Sequence, residues 1–318
     1  MMPPASVPRN DEAIRVLVNR ASGRGKAGRL APRIEDFFRH RGIRARFFWP
    51  ESASALQRLA AEAAAQECRR LVVVGGDGTL LEAINGAFGS GIELGVIPAG
   101  DANDVAASLG LPRDPFAAAE LLGEWVTRPI DLVKARFGNG RERLFAGIGG
   151  AGLDAEAARL AGSRFRRLPR IWRYLAGALA AFCRFQPFEF EGQFDDQTYQ
   201  GRAFLAVVAN TPAYGGGIRI APAAKMDDGW LDAAIIAELD WRRVIQALPS
   251  IARSGDIGSL HPLRYRARHV RLASVRPIPF HGDGDLLGVT PVEFDVLPAA
   301  LRMVCFSARS PEPDLRRQ

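Results

Sequence analysis

This chain of 318 residues predicts an open, three-layer α/β domain over residues 1–130, followed by a β-rich, sandwich-like domain over residues 131–318. Three observations predict it. Short apolar runs alternate with helical stretches up to about residue 130, the pattern of parallel strands joined by crossover helices. Beyond Asp131 the runs become short and frequent and are separated by Gly, Asp or Pro, the pattern of an antiparallel sandwich. Finally, the chain is too long for one typical domain and suits two.

The elements follow in order. IRVLVN (14–19) is a strand that enters the glycine-rich ASGRGKAG, and a helix follows with apolar spacing at Leu30, Ile34, Phe37 and Phe38. ARFFW (45–49) is a second strand, ALQRLAAEAAAQE a helix, LVVV (71–74) a third strand and LGVIP (94–98) a fourth; DPFAAAELLGEW is helical again. In an open sheet of this kind, ligands bind at the carboxyl ends of the strands. DLVKARF and RERLFAGIG flank Gly138-Asn139-Gly140, a hairpin signal. FEFEGQF, RAFLAVVAN, WLDAAIIAEL, LRYRARHVRLAS and PVEFDVLP are further strands, with the last free to return to the first domain. Two helical inserts interrupt them, IWRYLAGALAAFCRF (171–185) and WRRVIQALPSIARSG (241–255).

Composition narrows the function classes. A hydrophobic share of 47% with 24% charged residues is that of a globular chain, so disorder is excluded as the default. The three cysteines, Cys68, Cys183 and Cys305, lack the CxxC spacing of a zinc site and read as reduced thiols of a cytosolic protein. No apolar run approaches the ~20 residues needed to cross a bilayer. The start, MMPPASVPRNDEA, lacks the apolar core of a signal peptide and reads as a loose arm, as SPEPDLRRQ reads as a loose tail. The net charge of +7, almost all of it arginine, favours acidic partners: nucleotides and anionic lipid surfaces. Nucleic acid is set aside, because no basic stripe or recognisable module is present.

The chemistry concentrates in LVVVGGDGTLLEAINGAFG. Gly75, Gly76, Asp77, Gly78 and Thr79 join a strand to a helix, where main-chain N–H groups can approach phosphates and the helix start favours negative charge. Asp77 would be repelled by bare phosphate, so its presence implies Mg²⁺ or an ordered water network between them. A plain capping aspartate in a tight turn is the competing reading. In HGDGD, Gly282 and Gly284 flank Asp283 and permit a sharp turn that projects its carboxylate, although a plain hairpin tip has the same appearance. His281 reads as a packing neighbour of that turn.

GGDGT resembles the signature of the superfamily that joins diacylglycerol kinases, sphingosine and ceramide kinases, NAD kinases and phosphofructokinases. LGVIPAGDANDVAASLGLP is similar to the lipid-kinase loop P-x-G-T-x-N-D-x-A-R. NTPAYGGGIRIAPAAKMDDGWLD and FHGDGDLLGVTPVEFDVLPAAL resemble, in the right order, blocks of the soluble bacterial diacylglycerol kinase-like enzymes. The resemblance implies a nucleotide-binding domain of phosphofructokinase/NAD-kinase type, a β-rich lipid-substrate domain, and catalysis in the cleft between them. It implies ATP and Mg²⁺ as cofactors and transfer of the γ-phosphate to a lipid hydroxyl, diacylglycerol first among the candidates. Asn19, Ser22, Gly23 and Arg24 should line the nucleotide. Gly75, Gly76, Asp77, Gly78 and Thr79 should hold its phosphates and Mg²⁺, supported by Asn103 and Asp104. Asp283 takes the place of the general base and Asp285 that of the family's glutamate. Asp228, with main-chain carbonyls near Lys225 and Trp230, matches a structural Mg²⁺ loop.

Some positions depart from that pattern. Arg24 replaces a lysine, Asp101 a threonine and Asp285 a glutamate, and Trp49 stands where a threonine often follows the second strand. Phosphoryl transfer also asks for charge neutralisation from the second domain; Arg166 and Arg167 are the candidates, or else a solvated basic face. The helix at 171–185 is either an interfacial membrane element or a buried helix. The expected setting is cytoplasmic, with peripheral contact at the inner face of the membrane, and a homodimer is compatible with it. Two other classes compete: an NAD kinase, and a nucleotide-binding regulator without turnover.

Overall fold

The computed structural model describes residues 13–153, 176, 177, 180, 186–215, 217–237 and 240–306. The predicted arm up to residue 12, the tail from Ser310, Cys183, Arg166, Arg167 and most of the 171–185 stretch lie outside the described residues.

Four apolar runs fold as parallel strands, β1 (Ile14–Val18), β2 (Ala45–Phe48), β3 (Arg70–Gly75) and β4 (Glu93–Pro98), in the order β2-β1-β3-β4. Parallel neighbours require crossovers, and α1 (Ser22–His40), α2 (Ala53–Ala65) and α3 (Asp77–Ala87) supply them. β3 shows why its sequence is apolar throughout. Leu71 and Val73 share a core with α2 and α3, while Val72 and Val74 share the opposite one with α1. Two short helices complete the layer, α4 (Asp104–Ser108) and α5 (Pro115–Glu124). α5 starts where such helices usually do: Asp114 accepts the Ala117 N–H at 2.8 Å, with a proline in the first turn.

The hairpin at Gly138-Asn139-Gly140 forms as predicted, joining β5 (Thr127–Phe137) to β6 (Glu142–Phe145). The other strands are β7 (Ile148–Gly152), β8 (Phe188–Phe194), β9 (Gln197–Ala203), β10 (Leu205–Ala209), β11 (Leu231–Ile236), β12 (Leu263–Ala267), β13 (His269–Ser274), β14 (Pro279–Gly282), β15 (Asp285–Val289) and β16 (Val292–Val304). RERLFAGIG, RAFLAVVAN and LRYRARHVRLAS, each predicted as one strand, are all divided. β6, β9 and β13 belong to the ten-stranded sheet, and β7, β10 and β12 to a six-stranded one ordered β12-β11-β10-β7-β14-β15. Each break passes the chain from one sheet to the other. Hydrophobic periodicity does not register such a step, because both halves are apolar.

The two sheets face each other as the predicted sandwich. Val208, Ile235 and Phe280 of the six-stranded sheet pack against Phe190, Val270 and Phe294 of the other. Alternate residues of β10, Leu205 and Val207, point the opposite way, towards α6 (Trp241–Ser254). β16 runs on past its predicted end at Pro298. A bulge between Leu297 and Leu301, where Ala299 adopts φ 50°, redirects it from β5 and β13 to lie parallel beside β4.

Candidate active site

The carboxyl ends of β1, β3 and β4 bring the predicted glycine loops together. Asn19 donates from Nδ2 to Thr79 Oγ1 at 3.0 Å, which ties the first loop to GGDGT. Gly76 lies against Gly100 so closely that a Cβ on Gly100 would strike the Gly76 backbone. Gly23, at φ 57°, likewise leaves no room for a side chain against the Ala99 carbonyl. Asn103, itself left-handed at φ 56°, closes its loop by bonding both ways to Gly100, each at 3.0 Å. Ser22, Gly23, Gly76, Asp77, Gly78 and Asp104 line the cleft, whereas Gly75 and Thr79 lie buried behind them and shape the turn.

Two of the departures meet one another. Arg24 stands 3.8 Å from Asp101, so the added negative charge faces a positive one that the departure at Arg24 retains. A third is accounted for by stacking: the Arg20 guanidinium lies over the Trp49 ring, 4.6 Å from its centroid.

Asp283 forms the facing wall. It sits between β14 and β15 at φ 49°, and its carboxylate accepts from the N–H groups of Ala146 at 2.9 Å, Gly147 at 3.0 Å and Ile148 at 3.1 Å. Those donors are available because the chain is passing from β6 to β7 at that point. Burial is the main reason that Asp283 has its pKa pushed up to about 7; the nearby charge of Asp77 adds to the rise, and the N–H donors oppose it. Asp77 accepts from the N–H groups of Asp104 and Val105, each at 3.1 Å, and burial raises its pKa as well. Asp285 lies against Gly78, where a side chain would collide with its carboxylate. Its pKa is raised by burial and by Glu82, and Arg143, paired with Glu82 at 2.5 Å, opposes the rise. Three carboxylates therefore gather at the start of α3. Among the described residues, neither Asp77 nor Asp283 has an ion-pair partner.

Between these walls opens a cleft of about 500 Å³ that continues into an apolar chamber. Ile148, Leu205 and Ile236 of the six-stranded sheet form one side of the chamber, and Val244, Leu248 and Ile251 of α6 the other. Sequence reasoning missed this chamber, whose residues each resemble ordinary core. It also missed the Ala146–Ile148 cradle, for which the glycine run AGIGG is the available signal, and Asn210. Asn210, fully buried, donates to the carbonyls of Asp131 and Ala146, each at 2.9 Å, and so steadies the cradle from behind.

The MDDGW loop lies away from the cleft. Asp228 pairs with Arg266 at 2.5 Å and accepts the Trp230 N–H at 3.1 Å, and the guanidinia of Arg266 and Arg268 lie over the Trp230 ring. Buried Asp131 anchors the loop by accepting the Gly229 N–H at 2.7 Å. A cation held by Asp228 and main-chain carbonyls near Lys225 and Trp230 would have to compete with the Arg266 guanidinium for that carboxylate. No three side chains of the metal-binding types form a preset cage among the described residues.

Nucleotide-type glycine loops facing a half-buried carboxylate across an interdomain cleft define a phosphotransferase class, and comparison with known proteins gives the family. Residues 13–135 match the diacylglycerol kinase catalytic domain, and residues 147–305 match the YegS C-terminal NAD kinase beta sandwich-like domain. A diacylglycerol kinase of Mycobacterium tuberculosis is 30% identical over 92% of this chain and 94% of its own length. One of Bacillus subtilis is 28% identical over 88% and 92%. A crystal structure described as a diacylglycerol kinase from Bacillus anthracis shares the fold, with a TM-score of 0.70 at 22% identity over 93% of this chain and 98% of that one. The chain belongs to the diacylglycerol kinase-like lipid kinase family.

Proposed function

We propose that this protein transfers the γ-phosphoryl group of ATP to the hydroxyl of a membrane lipid, diacylglycerol first, giving phosphatidic acid. The observation that carries the reading is the continuity of the cleft: one cavity of about 500 Å³ joins the glycine loops and their carboxylates to an apolar chamber. Such a cavity suits a substrate that is polar at one end and hydrocarbon for the rest. The apolar chamber also argues against NAD as acceptor.

The residues present fit a nucleotide-borne Mg²⁺, because Asp77 and Asp283 concentrate negative charge that no side chain of the described residues neutralises. Mg²⁺ usually takes one or two carboxylates together with substrate phosphates. Asp77 would hold it, through water where needed, and the ion would supply charge neutralisation at the phosphates. The chain's own groups do the rest. N–H groups at the loops and at the start of α3 orient the triphosphate. Asp283, fixed by three N–H donors, accepts the proton of the lipid hydroxyl as that oxygen attacks phosphorus. A base with a pKa near 7 is well matched to neutral pH.

No helix among the described residues is long and apolar enough to cross a membrane. Peripheral contact with the cytoplasmic face is therefore the proposed route to the substrate. Incubating the protein with labelled ATP, Mg²⁺ and a defined panel of lipids and NAD tests the reading. Label in a lipid is expected; label only in NAD, or nucleotide binding without transfer, overturns it.

A further inference from the structure

Asn210, which follows β10, holds the main chain on which Asp283 rests. Ala146 and Gly147 lie in the bend between β6 and β7 and belong to neither strand. Gly147 has to be glycine, because a Cβ there would collide with Asp283 Oδ1. The residue that approaches this carboxylate most closely therefore has a permissive backbone, and its orientation must be set from outside. The Asn210 side chain donates from Nδ2 to the Ala146 carbonyl at 2.9 Å, and its main-chain N–H donates to the Gly147 carbonyl at 2.8 Å. Each carbonyl shares a rigid peptide plane with the N–H that follows it. The first contact thus sets the Gly147 N–H, which donates to Asp283 Oδ1 at 3.0 Å and to Oδ2 at 3.3 Å. The second sets the Ile148 N–H, which donates to Oδ1 at 3.1 Å. Hydrogen bonds linked in this way polarise one another, so donation at the carbonyl also strengthens the N–H beyond it.

The amide is held at two points. Its other Nδ2 hydrogen bond goes to the Asp131 carbonyl at 2.9 Å, and the Asp131 carboxylate is itself pinned by the N–H groups of Gly229 at 2.7 Å and Ala299 at 2.8 Å. Both partners of the amide are carbonyls, so only its NH2 end can face them. That leaves Oδ1 buried with no partner among the described residues. An unpaired buried oxygen is costly and calls for an explanation. Here the oxygen is stranded because both N–H groups of the amide are committed to fixing main chain.

We propose that Asn210 is a positioning residue for the base: through the Ala146–Gly147 peptide it fixes where the Asp283 carboxylate stands against the lipid hydroxyl. This rests on the lipid-kinase reading above. Asn210 is fully buried and lies behind the peptides that line the cleft, so it acts on the rate and not on the binding of either substrate. The test is a double-mutant cycle, read as transfer of label from ATP to the lipid that wild type accepts best.

Asn210→Leu, close to isosteric, should lower kcat by roughly 10–100-fold, the effect of a misplacement of about 1 Å, and leave both KM values within a few-fold. In an Asp283→Asn background no carboxylate is left to position, and the same substitution should change kcat by less than about threefold. Should the loss of two donors keep Asn210→Leu from folding, the cycle is read on Asn210→Ser, which leaves room for a water able to donate to the carbonyls. A smaller loss with the same dependence on Asp283 is expected there. Equal losses in the two backgrounds would mean that Asn210 acts through general stability, and they overturn the proposal while leaving the kinase reading intact. A kcat unchanged by the single substitution overturns it too. A wild type that phosphorylates no lipid of the panel refutes the kinase reading itself, and the proposal with it.

Discussion

The two walls of the cleft are built on opposite plans. The glycine-loop wall is made of main chain: glycines at the ends of β3 and β4 bring N–H groups to one place, and side chains mostly fix the loops to each other. The apolar wall is made of side chains from Ile148, Leu205, Ile236, Leu248 and Leu260, spread over more than a hundred residues of sequence. Phosphate demands directed donors and close approach, which few residue types allow. A hydrocarbon chain demands only apolar area, which many residue types supply. The first kind of wall leaves a motif behind, and the second leaves none.

The contrast can be broken at several points. The largest effect is expected from Asp77→Ala, which should abolish turnover while the protein stays folded. Losing the carboxylate that receives the Asp104 and Val105 N–H groups resembles the loss of a helix cap, ~1 kcal/mol. Steady-state kinetics beside a thermal melt would check this, and retention of most of kcat would remove Asp77 from the phosphate chemistry.

Asp283→Asn should follow, with kcat lowered by roughly 10²–10⁴-fold and ATP binding within a few-fold. Its amide would also oppose the Ala146 N–H, so a melt should accompany the kinetics. Near wild-type turnover would place the base elsewhere.

The pH profile is a subtler probe. Activity should fall as pH drops through about 7, when Asp283 takes up its proton. Asp77 faces it from α3, and His281 and Asp285 flank it, so the limb reports on all four together. The stability linkage has a definite sign. With a folded pKa of about 7 against 3.8, the Asp283 contribution is full below 3.8 and is lost as pH rises through 7. A rate independent of pH between 5.5 and 8 would contradict the base assignment.

On the apolar wall the effects are smaller and selective. Leu248→Trp, which narrows the chamber from a half-buried position, should raise lipid KM by about tenfold and leave ATP KM unchanged. Parallel changes in both constants would mean that the chamber is not the acyl site. Smallest of all, excess chelator should not move the melting temperature, because Arg266 already neutralises Asp228. Arg266→Ala should cost ~1 kcal/mol or less, as exposed ion pairs do.

Much of the fold was legible in the sequence. All four parallel strands and the helix after GGDGT emerge from periodicity, since each is a short apolar run or an apolar stripe at helical spacing set between polar or glycine-bearing connections. The divided strands did not emerge, because β6 and β7, for example, read as one apolar run although they join different sheets. The site followed the same rule. Asp77 and Asp283 were visible through their flanking glycines, whereas Asn210 carries no local sign of its hydrogen bonds to Asp131 and Ala146. The counter-charge of Asp228 was hidden for a related reason: Arg266 arrives from β12, a strand that no local pattern links to MDDGW.

The path of β16 has a consequence for how the protein is made. Arg302 and Met303 join the parallel sheet beside Glu93 and Leu94, although some two hundred residues of chain separate them. A ribosome therefore releases the first α/β unit with one edge of β4 uncovered, and that edge stays open until almost the whole second unit has emerged. Loop closure over such a separation is slow, and exposed strand edges are sites of mispairing. Folding of the two units should accordingly be a single late event, with the growing chain dependent on chaperones until β16 is in place.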